Sequence, residues 1–280
     1  MTADKAVDRY AVVGNPVAHS LSPRIHAAFA KQTGEAIRYE AIELPVDGFV
    51  GGINQLRAQG FRGANVTVPF KQQARDLCAN LSERAGTAGV VNTLIFPDSD
   101  SIEGDNTDGV GLVRDLKNNL GIELENRNIL LLGAGGAARG VLQPLLAESP
   151  ASLVIANRTV DRAHSLARDF AHFGNLRASA YADLPTEPYH VVINATAAGL
   201  ANELPPLAPE LLAETDACYD MMYRLDADTA FQAWSKSQGI EHSHDGLGML
   251  IEQAAEAFHR WRGVHPDTAT LATELRANQA

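Results

Sequence analysis

The stretch "ILLLGAGGAARG", residues 129–140, decides the fold. An apolar run ends on Gly133, and Gly133, Gly135 and Ala138 then fall in the spacing G-x-G-x-x-A ahead of a helix-forming segment, "AARGVLQPLLAE". Glycine at 133 permits a tight turn, and glycine at 135 lets the backbone approach a pyrophosphate at the helix N-terminus. Gly136 adds clearance. A glycine pattern alone is weak, because a flexible strand-to-helix turn looks the same. Here a strand precedes it, a helix follows, and a second strand, "ASLVIANRT" (151–159), stands at the distance a dinucleotide-binding unit requires.

The end of that second strand selects the dinucleotide. NAD sites usually place an acidic residue about 20 residues beyond the glycines, where it holds the ribose hydroxyls. This chain has "NRTVDR" (157–162) instead. A guanidinium pairs bidentately with a 2′-phosphate and a hydroxyl donates to it, whereas a carboxylate repels it. Asn157, Arg158, Thr159 and Arg162 therefore favour NADP. The plain competitor is a pair of solvated arginines at a helix start.

Outward from this unit the pattern continues in both directions. "HVVINAT" (190–196) and "TDACYDMMY" (215–223) read as later strands of the same sheet, and "GMLIEQAAEAFHRWRG" (248–263) as a long amphipathic helix. Upstream, "YAVVG", "RYEAIEL" and "GANVTV" read as strands alternating with the helices "SPRIHAAFAKQTG" and "GFVGGINQLRAQG", which predicts a mostly parallel sheet. Ser22 is the expected cap of the first of those helices and Gly34 its stop. "VVNTLIF" and a short strand around Ser101–Ile102 read as a hairpin, with a helix from "GDNTDGVG" onward. The fold class is α/β, and 280 residues suit two domains, divided near Asp108.

Composition narrows the function. With 23 Lys+Arg against 34 Asp+Glu the net charge is −11, and no basic run offers a footprint for nucleic acid. A small anion remains admissible, because local arginines and amides dominate inside a site. Cys78 and Cys218 stand far apart, so they are read as buried thiols and not as a disulfide or zinc framework. His242 and His244 lack a third ligand, so no metal is expected. The N-terminus lacks a leader-like apolar core and no run approaches the roughly 20 apolar residues of a membrane span. The cytoplasm is the expected compartment.

Four stretches carry more polar residues than packing requires: "GNPVAHSLSP" (14–23), "GANVTVPFK" (63–71), "VVNT" (90–93) and "GDNTDG" (104–109). Each sits at a strand end or helix start, the edge where open α/β sheets bind ligands. In "GANVTVPFK" the alternation turns Val66 and Val68 toward the core, and Asn65 and Thr67 toward a ligand. A carboxylate held against Lys71 would keep its ammonium in place for proton exchange with a substrate oxygen. Asp108 and Asp105 both qualify. The bland alternative makes Lys71 an exposed helix-start charge and the aspartates helix caps.

The segments "GNPVAHSLSPRIH", "GANVTVPFK", "AGVVNTL", "GDNTDGVG", "LLGAGGAARGV", "NRT", "INAT", "YDMMY" and "DGLGML…QAA…AF" follow one another in the order and spacing of the shikimate dehydrogenases. These are NADP-dependent enzymes of the shikimate pathway of aromatic amino acid biosynthesis, and the chain resembles them from about Tyr10 to Gly263. The resemblance implies reduction of 3-dehydroshikimate to shikimate, a small-molecule partner, and a homodimer as one option for assembly. It implies an α/β substrate domain, residues 1–108 with 246–280, a Rossmann NADP domain, residues 109–245, and a cleft between them. The glycines of "HDGLGML" stand where the family hinges.

By the same resemblance, the catalytic pair falls on Lys71 and Asp108. Substrate contacts fall on Ser20, Ser22, Asn65, Thr67, Asn92, Tyr223 and Gln253, a set suited to a carboxylate bearing three ring hydroxyls. Cofactor contacts fall on Gly133, Ala134, Gly135, Gly136 and Ala137, on Asn157, Arg158, Thr159 and Arg162, on Met221 and Gly246, and on Glu83, whose physical role is obscure. Two departures stand out, Ala197 in "ATAAG" for a frequent serine and Ala230 in "TAF" for proline. Two rival readings are an NAD-preferring quinate/shikimate dehydrogenase and a catalytically silent, ligand-sensing relative.

Overall fold

The computed structural model describes residues 7–97, 101–196 and 203–277. Its backbone contacts gather into two units, one of Met1–Asp108 with Leu250–Leu271 and one of Gly109–Met249 with Ala272–Ala280. The sequence-based division kept 246–280 together, whereas here the return falls after Met249. From Ala272 onward the last helix falls in the second unit, where Arg276 pairs with Asp245 at 2.7 and 2.9 Å and donates to the Arg224 carbonyl at 3.0 Å.

The first unit contains β1 (Asp8–Gly14), α1 (Ser22–Thr33), β2 (Ile37–Glu43), α2 (Phe49–Ala58), β3 (Phe61–Val66), α3 (Lys71–Leu77), β4 (Asn80–Leu81), α4 (Glu83–Ala88), β5 (Thr93–Ile95) and β6 (Glu103–Asp105). The sheet order is β2-β1-β3-β5-β6-β4. β1 pairs in parallel with β2 and β3, but β5 runs antiparallel to β3 and β6. Because β4 pairs in parallel with β6, five of the six strands run the same way and the sheet is mostly parallel as expected; the hairpin reverses β5, and the strand expected at Ser101–Ile102 begins two residues later. Ser22 does not cap α1 and is instead its first residue. Its amide donates to the Ser20 hydroxyl at 3.2 Å, and Gly34, at φ 71°, closes the helix as expected.

Next come α5 (Asp108–Arg114), β7 (Asn128–Leu132), α6 (Gly136–Ala147), β8 (Ser152–Ala156), α7 (Val160–Phe170), β9 (Leu176–Ser179), β10 (Val191–Asn194), β11 (Ala217–Asp220), α8 (Ala230–Ser237), β12 (His242–Asp245), α9 (Leu247–Arg262) and α10 (Leu271–Ala277). The second sheet is parallel throughout, in the order β12-β11-β10-β7-β8-β9. Numbered within the unit this is 3-2-1-4-5-6, the dinucleotide-binding topology, with its switch point between β7 and β10. β7 and β8 lie buried between helices, which is why they read as unbroken apolar runs. Each fully buried Leu or Ile there contributes roughly 1.5–3 kcal/mol.

Helix α9 is buried continuously from Ile251 to Phe258 although its sequence is amphipathic. Two of its buried carboxylates are paired specifically: Thr268 donates to Glu252 at 2.7 Å and Arg84 to Glu256 at 2.9 Å. Trp261 donates its indole N–H to the Leu94 carbonyl at 3.0 Å and packs over Gly63, where a Cβ would stand 2.5 Å from that nitrogen. In the second unit Trp234 packs on α8 against a core cluster containing Phe231. Both cysteines are free. Cys218 is buried as expected but Cys78 only half-buried, and burial pushes each thiol up to about 12, which leaves them unreactive. No helix among the described residues is long and apolar enough to cross a membrane.

Candidate active site

In the first unit, β3 ends at Val66, so the alternation expected through Val68 stops and Val68 is 52% exposed. Thr67 follows in the turn, its amide bonded to the Val13 carbonyl at 2.9 Å. Phe70 then anchors the chain, fully buried and stacked on Phe49 at 4.9 Å. This seats Lys71 as the first residue of α3, with its carbonyl accepting the Val91 amide at 3.0 Å.

Lys71 Nζ lies 2.5 Å from Asp108 Oδ2, with side chains 16% and 8% exposed. The other carboxylate oxygen of Asp108 accepts from Asn92 Nδ2 at 2.8 Å. Asn92 also reaches Gln253 Oε1 at 3.3 Å and Thr107 Oγ1 at 3.0 Å. The aspartate in contact with Lys71 is Asp108, the one the family resemblance implies, and not Asp105. The contact is largely shielded from solvent and its geometry is held by the Asn92 hydrogen bond to Asp108.

Asp105 does something else. It is 1% exposed and takes both Arg84 Nε and NH2 at 2.7 Å, Ser82 Oγ at 2.5 Å and Arg260 Nε at 3.0 Å. Burial raises its pKa, but the Arg84 hydrogen bonds and charge outweigh burial and hold it below the usual carboxylate range. Two arginines from distant sequence, not visible as a pattern, make it a structural clasp.

Among the remaining predicted substrate residues, Ser22 is buried and Ser20 half-buried at the start of α1, and Thr67 is half-buried. Asn65 is buried with both amide protons used, toward the Asn92 carbonyl at 3.3 Å and Thr93 Oγ1 at 3.1 Å. Gln253 on α9 is 8% exposed. The first unit thus brings Lys71, Asp108, Asn92 and Gln253 into one hydrogen-bonded group and joins Asn65 to it. Tyr223 belongs to the second unit, just after β11, half-buried. Sequence reading passed over Tyr39, Thr93 and Thr107. The two threonines sat inside quoted motifs and Tyr39 inside an ordinary-looking strand.

In the second unit Gly133 adopts φ 103°, a left-handed value that favours glycine, and its amide bonds the Ala156 carbonyl at 2.7 Å. A Cβ built on Gly135 or Gly136 would meet nothing within 4 Å, so the space over the start of α6 is open with Ala134 and Ala137 beside it. Asn157 Nδ2 donates to the Thr159 carbonyl at 2.8 Å, which shapes the turn after β8. Arg158, Thr159 and Arg162 are exposed there, and among the described residues neither arginine has an ion pair. Gly246 is packed against Met221, whose carbonyl a Cβ would strike. These features fit a bound dinucleotide phosphate. Glu83 belongs to the first unit, where it is exposed in the first turn of α4. Ala197 lies outside the described residues, and Ala230 opens α8 behind a Thr229–Gln232 capping box. No group of His, Cys, Asp or Glu among the described residues is arranged to hold a metal.

A parallel dinucleotide-binding sheet in one unit and a half-buried lysine–carboxylate pair in the other define a nicotinamide-dependent oxidoreductase. Sequence profiles agree: "Shikimate dehydrogenase substrate binding domain" matches residues 12–94, "Shikimate / quinate 5-dehydrogenase" residues 115–202, and "Shikimate 5'-dehydrogenase C-terminal domain" residues 246–276. The shikimate dehydrogenase (NADP(+)) of Nitrosospira multiformis is 54% identical over 97% of this chain and 98% of its own. Among solved structures, an Ael1 enzyme from Pseudomonas putida superposes with a TM-score of 0.89 at 45% identity, covering 96% of this chain and 98% of that one. The shikimate 5-dehydrogenase of Thermus thermophilus in complex with NADP(H) and shikimate gives 0.84 at 36%, covering 97% and 99%. The chain belongs to the shikimate dehydrogenase family.

Proposed function

We propose that this protein is an NADP-dependent shikimate dehydrogenase, reversibly reducing 3-dehydroshikimate to shikimate in aromatic amino acid biosynthesis. The observation that carries the catalytic reading is the Lys71–Asp108 contact of 2.5 Å. When bound, NADPH supplies the hydride to the ketone carbon. The Lys71 ammonium donates to the ketone oxygen, stabilises the negative charge that develops on it and delivers the proton that makes it a hydroxyl. Asp108 holds the ammonium at the reacting oxygen, and Asn92 holds Asp108. In the oxidative direction the pair accepts the hydroxyl proton.

Ser20, Ser22 and Tyr223 suit the substrate carboxylate, and Thr67, Asn92 and Gln253 its hydroxyls, with Asn65 behind them and assigned to the substrate set by family resemblance. The amides of Gly133–Ala137 at the start of α6 suit the pyrophosphate, and Asn157, Arg158, Thr159 and Arg162 the 2′-phosphate. Met221 and Gly246 complete the cofactor set, and Glu83 is assigned to it by family resemblance alone. We assign substrate binding to the unit holding Lys71 and cofactor binding to the unit holding Gly133. The net charge of −11 supports a small-molecule partner over nucleic acid, and two free thiols support the cytoplasm.

The test is NADPH consumption with 3-dehydroshikimate, run beside NADH and beside quinate with NAD. Turnover with NADPH and little with NADH is expected. Preference for NAD with quinate turnover would instead identify a quinate enzyme, and binding without any turnover a ligand sensor.

A further inference from the structure

We propose that Tyr39 and Thr93 are positioning residues for the Lys71–Asp108 pair, because they close a hydrogen-bonded chain that runs in one sense from Tyr39 through Asn65, Thr93 and Asn92 to Asp108. The proposal rests on the reading of Lys71 and Asp108 as the acid–base pair. Tyr39 OH lies 2.6 Å from Asn65 Oδ1, Asn65 Nδ2 lies 3.1 Å from Thr93 Oγ1, and Thr93 Oγ1 lies 2.8 Å from Asn92 Oδ1. Asn92 Nδ2 then reaches Asp108 Oδ1 at 2.8 Å.

The sense of the chain is fixed by two backbone groups that cannot exchange roles. The Asn92 carbonyl only accepts, and it lies 3.3 Å from Asn65 Nδ2, so that amide turns its NH₂ toward β5 and its oxygen toward Tyr39. The Thr107 N–H only donates, and it lies 2.9 Å from Asn92 Oδ1, so that amide turns its NH₂ toward Asp108. Between them the Thr93 hydroxyl accepts from Asn65 and must spend its single proton on Asn92. Tyr39 must likewise donate to Asn65. Reversing the Asn65 amide would set acceptor against acceptor at the Asn92 carbonyl, and reversing the Asn92 amide would set donor against donor at the Thr107 N–H.

The surroundings hold this arrangement. Thr93 and Thr107 are fully buried, Asn92 is 2% exposed and Asn65 6%, so bulk water does not substitute for any of these four, while Tyr39 at the head of the chain is half-buried. The Tyr39 ring lies flat against the His26 imidazole, 4.1 Å between centroids and 8° between planes. Burial pushes His26 down to about 3, which keeps it a neutral packing surface, and burial raises the Tyr39 phenol well above its ordinary value, which keeps it a donor. Asn65 has no amide proton left to offer a ligand. In this arrangement it acts on the substrate by way of Asn92 and Asp108. The chain terminates on Asp108 Oδ1 and thereby reserves Oδ2 for Lys71.

The experiment compares Tyr39→Phe, Thr93→Val and Thr93→Ser in the full-length enzyme, by steady-state kinetics with 3-dehydroshikimate and NADPH and by thermal melting. Loosening a group that places the acid–base pair is expected to lower kcat roughly 10- to 100-fold in Tyr39→Phe and Thr93→Val, while the KM for NADPH stays within about twofold. Thr93→Ser restores kcat to within about threefold of wild type, and the Tyr39→Phe/Thr93→Val double variant loses little more than the worse single one, because both cut one chain. Retention of wild-type kcat by both single variants, or failure of serine to rescue, overturns the proposal. If Thr93→Val does not fold, Tyr39→Phe decides alone. Lys71→Ala run in parallel separates the two claims: its retaining full kcat defeats the catalytic reading itself, whereas its collapse beside active Tyr39→Phe and Thr93→Val defeats only the positioning role.

Discussion

Replacing Lys71 by alanine removes one side chain with two tasks, and the structure says how much of the site survives. Asp108 keeps its Asn92 hydrogen bond of 2.8 Å, and its amide stays bonded to Asn106 Oδ1 at 3.1 Å, so the carboxylate remains in place without its ammonium. The loss therefore concentrates in the transition state. A positioned proton donor contributes about 10²–10⁴-fold and a stabiliser of a developing oxyanion about 10²–10³-fold. One group performing both is not worth the product, so a fall in kcat of roughly 10³-fold is expected, or about 4 kcal/mol of barrier. The KM for 3-dehydroshikimate should move less than about tenfold, since the hydroxyl-facing amides remain. Lys71→Arg sharpens the test, because a guanidinium keeps the charge but does not release a proton near neutrality. It should recover stability of the pair without recovering most of the rate. The assay is NADPH absorbance under saturating cofactor, with circular dichroism to confirm the fold. A folded Lys71→Ala enzyme with kcat within about tenfold of wild type would refute the reasoning.

Other outcomes follow from the same geometry. Asp105→Asn strips a buried clasp of its charge beside Arg84 and Arg260 and should cost about 3–5 kcal/mol, read by denaturant melts. Because the folded-state pKa of Asp105 lies below the ordinary value of about 4, its stabilisation is present above that pH and fades as pH falls through the folded value. The wild type should lose stability on acidification below about pH 4 more steeply than Asp105→Asn. Arg158→Ala should raise the KM for NADPH roughly 10- to 100-fold and leave that for NADH nearly unchanged, since only one of them carries the 2′-phosphate. Gly246→Ala forces a Cβ into the Met221 carbonyl and should cost about 1–3 kcal/mol, seen as a lower melting temperature. Asp245→Ala should loosen α10, detected as faster amide exchange over Leu271–Ala277, since it removes the ion-pair partner of Arg276 and leaves only its bond to the Arg224 carbonyl.

What sequence made legible was what local chemistry dictates. The turn at Gly133 needs glycine whatever surrounds it, and "NRTVDR" advertises its charge directly, so the dinucleotide unit and its preference could be read from a dozen residues. The choice between Asp105 and Asp108 came from the family resemblance and could not be read from the local pattern. It depends on Arg84, Arg260 and Lys71 arriving from three separate elements, a tertiary fact with no periodic trace. Val68 misled for the opposite reason, since its alternation is perfect but its strand has already ended. Ser22 looked like a helix cap by composition, yet the hydroxyl that receives its own amide belongs to Ser20. The C-terminal helix carries no label naming its partners, which are Asp245 and the Arg224 carbonyl for Arg276 and a buried setting for Leu275.

The chain's two tryptophans are divided between the units, Trp261 in the first and Trp234 in the second. Their indoles also differ in setting: Trp261 is stacked on Tyr10 at 4.6 Å and hydrogen-bonded to a backbone carbonyl, while Trp234 packs beside Phe231 at 5.7 Å. The protein thus carries one native fluorophore per unit. In a Trp234→Phe variant the remaining emission reports only the half that holds Lys71, and in Trp261→Phe only the half that holds the glycine turn. Unfolding of each half, and its protection by shikimate or by NADP, can then be followed optically without attaching a dye.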